Sequence, residues 1–85
     1  MSDLESQFAQ AQKDLDKLTA KPASANLLKL YSNFKQVTVG DVQGDRPGVM
    51  DFAGRAKFDA WAGLKGQSKD ECMQAYVAVV NKLLG

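Results

Sequence analysis

The apolar positions of the chain fall into four stretches with helical spacing. Leu4, Phe8, Ala11, Leu15 and Leu18 recur every three or four residues, which lays one stripe along an amphipathic helix. Ser2 and Glu5 stand at capping-box spacing at its start, and Lys17 and Lys21 bring positive charge toward its carboxyl end. Pro22 restricts the residues before it, so the pattern predicts a first helix over residues 3–19. After Ser24, a candidate amino-terminal cap, Leu27, Leu28, Leu30, Tyr31, Phe34 and Val37 cover more than one stripe. This second helix is expected to pack on other helices with one side and to line a groove with the other. It should end near Val39, because Gly40 accepts a left-handed backbone without a side-chain clash.

A third, shorter helix is predicted from Phe52 or Gly54 to Leu64, with Phe52, Ala56, Ala60 and Leu64 along one face, Phe58 and Trp61 beside them, and Gly66 closing it. Ser68 and Glu71 repeat the capping-box pattern before a fourth helix, whose stripe Cys72, Tyr76, Val79, Leu83 reaches the end of the chain. No stretch alternates like a strand. The prediction is an all-α, four-helix bundle forming a single domain over residues 1–85, with no repeat and no dividing linker. Residues 40–51 (GDVQGDRPGVMD) are turn chemistry throughout. A connection of this length in a small domain is either packed in place or functional. Arg46 is the residue expected to lock it, by reaching a carboxylate or free carbonyls.

Composition narrows the chemistry. A chain of 85 residues supports one core and no large closed cavity, so a ligand should lie in a surface groove. With 11 basic and 10 acidic residues the net charge of +1 supplies no overall field for nucleic acid or an anionic membrane, and any anion site must be local. The single cysteine, Cys72, rules out an internal disulfide and fits a reducing compartment; on an apolar stripe it reads as a small core residue. No signal segment and no apolar run of roughly 18 residues is present. The expectation is therefore a soluble, intracellular protein without stable membrane insertion. The absence of histidine removes the usual general base and the commonest metal ligand. Neither a metal, a cofactor nor catalysis is expected. What remains is Tyr31 and Lys35, one turn apart on one helix face, followed after the long turn by Arg55 and Lys57. Together they suggest a site for a phosphorylated ligand with an aromatic part.

Several fragments at this separation resemble one family. LTAKP (18–22), YSNFKQVTVGD (31–41), DRPG (45–48), DFAGRAKFDAW (51–61), LKGQS (64–68) and Ala75-Tyr76 are similar to the acyl-CoA-binding proteins, over essentially the whole chain and without gaps. The resemblance implies an up-down-down-up bundle with a long connection between the second and third helices. It also implies a bowl that holds the CoA head group and acyl chain. Its ligand contacts map to Tyr31, Lys35, Lys57 and Tyr76, with Phe34 by the adenine at a position that is usually tyrosine. Phe8, Gln12, Asp16, Leu28 and Ala53 are further candidate contacts. Asp16 stands where most members present a basic residue and Ala53 where lysine is frequent, so a carboxylate is expected to face an anionic ligand. The lysine-rich final turn of many members has no counterpart here. The implied function is an intracellular carrier and pool-former for medium- to long-chain acyl-CoA, a cytoplasmic monomer with transient contact to membranes or acyl-CoA-using enzymes. The alternative is a helical interaction module that takes a partner helix into the same groove.

Overall fold

The computed structural model describes residues 3–85. They form four helices: α1 (Asp3–Leu15), α2 (Ser24–Thr38), α3 (Phe52–Ala62) and α4 (Lys69–Leu84). The Ser2 half of the first capping box lies outside the described residues. The all-α four-helix architecture and its up-down-down-up order are as the sequence pattern and the resemblance imply. α4 packs on both α1 and α2, and α3 leans on α2 alone. The core lies where α1, α2 and α4 meet: Phe8 and Ala11 of α1, Leu30 of α2, and Met73, Tyr76 and Val80 of α4.

Local chemistry sets several of the helix ends. α4 opens with a complete capping box, in which the Ser68 hydroxyl accepts from the Glu71 amide and the Glu71 carboxylate accepts from the Ser68 amide. α3 opens on Asp51, whose carboxylate accepts from the Gly54 amide at 3.0 Å. A side chain at position 54 would collide with that carboxylate, so glycine there is what lets the cap close. α2 ends at Thr38, and Gly40 follows with φ of 99°, as its sequence predicts.

Three boundary expectations are corrected. α1 stops at Leu15, short of residue 19, because the Asp16, Lys17 and Leu18 amides fold back three residues rather than four, onto Lys13, Asp14 and Leu15 carbonyls. Ser24 is the first residue of α2 and Ala23 is its cap, with no side-chain bond. α3 ends at Ala62, and residues 63–66 are a separate turn rather than its last residues.

The long connection, residues 39–51, is fastened at three places. Trp61 donates its indole N–H to the Gly40 carbonyl at 2.8 Å. The Asp41 carboxylate accepts from the Gln36 side chain at 2.8 Å and from the Gly66 amide at 2.9 Å. Arg46 grips Asp59 with both prongs, at 2.9 and 2.7 Å, as its candidate locking role requires. The Gly66 amide, the Gln36 amide and nearby Lys65 hold the Asp41 carboxyl below its ordinary 3.8. A depressed carboxyl contributes stability above its unfolded pKa and loses it as pH falls through the lower folded value. Asp41→Ala should therefore lower the melting temperature at neutral pH and match the parent under strongly acidic conditions. Melting curves across that range test this, and an equal deficit at every pH would refute it.

Candidate functional site

The spacing that builds each helix also builds a groove. Ser24, Leu27 and Leu28 lie on one face of α2, and Phe52, Ala53, Ala56 and Lys57 on one face of α3. With Lys21 from the α1–α2 connection they line an open groove of about 480 Å³. Contacts between the two helices keep the same order along both. Ser24 shares the groove with Phe52, the Lys57 ammonium sits 5.4 Å from the Tyr31 ring centroid, and the Lys35 ammonium sits 5.0 Å from that of Trp61. α2 and α3 are therefore parallel, with apolar walls toward their amino ends and cations over aromatic faces further on.

A second set of aromatics meets in the core between α1, α2 and α4. Phe8 stacks on Phe34 with ring centroids 6.2 Å apart and meets Tyr76 edge-on at 5.0 Å. Tyr76 is buried, and burial followed by the charge of Asp16 pushes its hydroxyl above the ordinary tyrosine range. Asp16, itself exposed, therefore acts electrostatically on this cluster. Gln12 is half-buried and donates to the Phe8 carbonyl.

Of the sequence candidates, Leu28, Ala53 and Lys57 meet in the groove, and Tyr31 and Lys35 continue the same α2 face beyond it. Phe8, Phe34 and Tyr76 belong to the aromatic cluster. Five lining residues enter the sequence pattern only as helix, cap or dipole residues: Lys21, Ser24, Leu27, Phe52 and Ala56. For Ser24, Leu27, Phe52 and Ala56 the signal lies in the spacings 24, 27, 28, 31 and 52, 53, 56, 57, each a single helix face, whereas Lys21 in the connection carries none. Trp61 is a packing anchor, buried to 7% exposure and hydrogen-bonded to the connection. Cys72 is fully buried in α4, where desolvation pushes its thiol up, so it is no ready nucleophile. Among the described residues no cluster of three or more His, Cys, Asp or Glu has metal-site geometry, and no helix is long and apolar enough to cross a membrane.

The groove thus offers apolar walls at one end and two cations further along, surfaces complementary to an amphipathic anion. The acyl CoA binding protein family model matches residues 5–80. The chain is 46% identical over 77 residues to acyl-CoA-binding protein homolog 1 of Caenorhabditis elegans, covering 91% of this chain and 90% of that protein. It is 43% identical over 82 residues to an acyl-CoA-binding protein homolog of Manduca sexta, covering 95% and 91%. Among solved structures it matches an acyl-CoA-binding protein of Moniliophthora perniciosa with a TM-score of 0.87 at 41% identity, covering 99% of this chain and 81% of that one. Acyl-CoA-binding protein 2 of Oryza sativa matches with a TM-score of 0.85 at 36% identity, covering 95% and 90%. The chain belongs to the acyl-CoA-binding protein family, a family of binding and carrier proteins rather than enzymes.

Proposed function

We propose that the chain is a carrier of medium- to long-chain acyl-CoA esters, holding the tail in the α2–α3 groove and the phosphorylated nucleotide near Lys35 and Lys57. The observation that carries this reading is the ordered change of wall along the two parallel helices, from Leu27, Leu28, Ala53 and Ala56 to the two lysines. Acyl-CoA has the same order of surfaces, an apolar chain, a polar arm and a charged nucleotide. Burying the tail is worth about 0.8 kcal/mol per methylene, which favours long esters over free CoA. Lys35 leaves the Trp61 ring at a cost of about 0.5–1 kcal/mol, less than the ~1.5–3 kcal/mol of a charged hydrogen bond to phosphate. Phe34, in place of the usual tyrosine, keeps a face on which adenine can stack, at about 1–3 kcal/mol per base.

Tyr31 offers a hydroxyl beside Lys57, and buried Tyr76 backs Phe34 from the core, with Gln12 and Phe8 in the same support. Asp16 brings a carboxylate toward the nucleotide, at a cost of about 1 kcal/mol or less. Such a carrier shields the thioester and tail, buffers free acyl-CoA as a cytoplasmic monomer, and releases it to membranes or acyl-CoA-using enzymes. Calorimetric titration with palmitoyl-CoA, free CoA and palmitate tests this. Tight binding of the ester alone is expected; equal binding of all three, or of none, would overturn it.

A further inference from the structure

Three of the five large apolar side chains that stand exposed among the described residues fall within four consecutive positions: Val49 at 65%, Met50 at 83% and Phe52 at 76%. They occupy the turn that leads into α3 and the first residue of that helix, not a frayed end. The Asp51 amide donates to the Gly48 carbonyl at 3.0 Å, the Asp51 carboxylate caps α3, and Arg46 upstream is clamped to Asp59. Three apolar side chains are thus held outward by a fastened backbone. They are not part of the buried core cluster; Val49 and Met50 lie outside the lining of the α2–α3 groove, and Phe52 contributes one edge to it.

We propose that this turn is where the protein touches a lipid bilayer, with Val49, Met50 and Phe52 dipping among the head groups so that the groove opens onto the membrane. Size argues for lipid over protein. The three side chains offer on the order of 400 Å², against the ~800 Å² per partner that a stable protein interface buries. Continuity argues the same way, because Phe52 belongs both to the exposed turn and to the groove that takes the tail under the proposed function, on which this inference rests. Charge at the contact is compatible with an anionic surface. The charged group of the groove lining that the proposed function leaves free is the cation Lys21, and Asp51 of the turn is engaged as a helix cap. The turn then shortens the aqueous path between bilayer and groove.

The test uses the full chain and a variant carrying Val49→Ser and Met50→Ser. Cosedimentation with phosphatidylcholine–phosphatidylserine vesicles should show weak binding by the parent and a roughly tenfold loss in the variant. The rate of palmitoyl-CoA extraction from those vesicles should fall with it. Affinity for octanoyl-CoA in vesicle-free solution should stay unchanged in both proteins. If the parent fails to bind octanoyl-CoA, the carrier reading falls; if it binds octanoyl-CoA but parent and variant sediment alike, the membrane contact falls. A concentration-dependent dimer abolished in the variant, or a protein partner lost with the turn while vesicles go unbound, would assign the surface to that occupant instead and overturn the proposal.

Discussion

Replacing Lys57 with alanine is expected to weaken palmitoyl-CoA binding by about tenfold or more, a loss of about 1.4 kcal/mol. Lys57 is exposed and its ammonium rests over the Tyr31 ring at the point where the apolar groove ends. That position suits a point charge reaching for a phosphate oxygen. Because the side chain lies outside the core cluster, the melting temperature should hardly move. Lys57→Arg keeps the charge and should retain most of the affinity. Lys35→Ala should act in the same direction, with the added loss of the cation over Trp61. Titration calorimetry on all three, beside thermal melts, separates a binding role from a structural one. Unchanged affinity in both alanine variants would remove the phosphate role from these lysines.

Met73→Ala should damage the fold severely, costing about 2–5 kcal/mol in urea unfolding. Met73 is 1% exposed and packs in the core with Phe8, Ala11, Leu30, Tyr76 and Val80. A domain of this size holds roughly 0.05–0.15 kcal/mol of stability per residue, so the loss takes a large share of the total. Met73→Leu keeps nearly the same volume and should cost less than about 1.5 kcal/mol. A loss as large for leucine as for alanine would mean that methionine's shape, not the filled volume, matters there.

Met73 also marks the boundary of what is legible in the sequence. Spacing alone locates all four helices, and cap chemistry at Ser68–Glu71 and the glycine after Val39 set ends correctly. The buried face that spacing assigns to α4, however, is Cys72, Tyr76, Val79 and Leu83, whereas Met73 and Val80 are among its most deeply buried residues. A single stripe assumes one neighbour, and α4 is gripped from two sides by α1 and α2. Ser32, Asn33 and Gln36 are likewise buried on α2, hidden from any hydrophobic pattern. The Ser32 hydroxyl and the Asn33 amide donate to the Lys29 carbonyl and the Gln36 amide donates to Asp41, while the Asn33 and Gln36 side-chain oxygens stay buried without a protein partner among the described residues. The end of α1 at Leu15 has no marker at all, since its apolar spacing continues through Leu18. The candidate site is readable where one helix face carries it, as with Tyr31 and Lys35. It is incomplete where two faces have to be paired, because that depends on the relative direction of α2 and α3.

That direction is set by the length of the segment between them. A turn of a few residues would return α3 antiparallel to α2, setting Phe52 near Lys35 and bringing Trp61 down beside Ser24. The same side chains would then oppose one another out of phase, greasy against charged at each end, and no polarity gradient would run along the cleft. The thirteen residues 39–51, pinned at Gly40, Asp41 and Arg46, carry the chain back to the starting end of α2 before α3 begins. Loop length here selects helix polarity, and helix polarity decides that the apolar and the charged ends of the cleft stand apart.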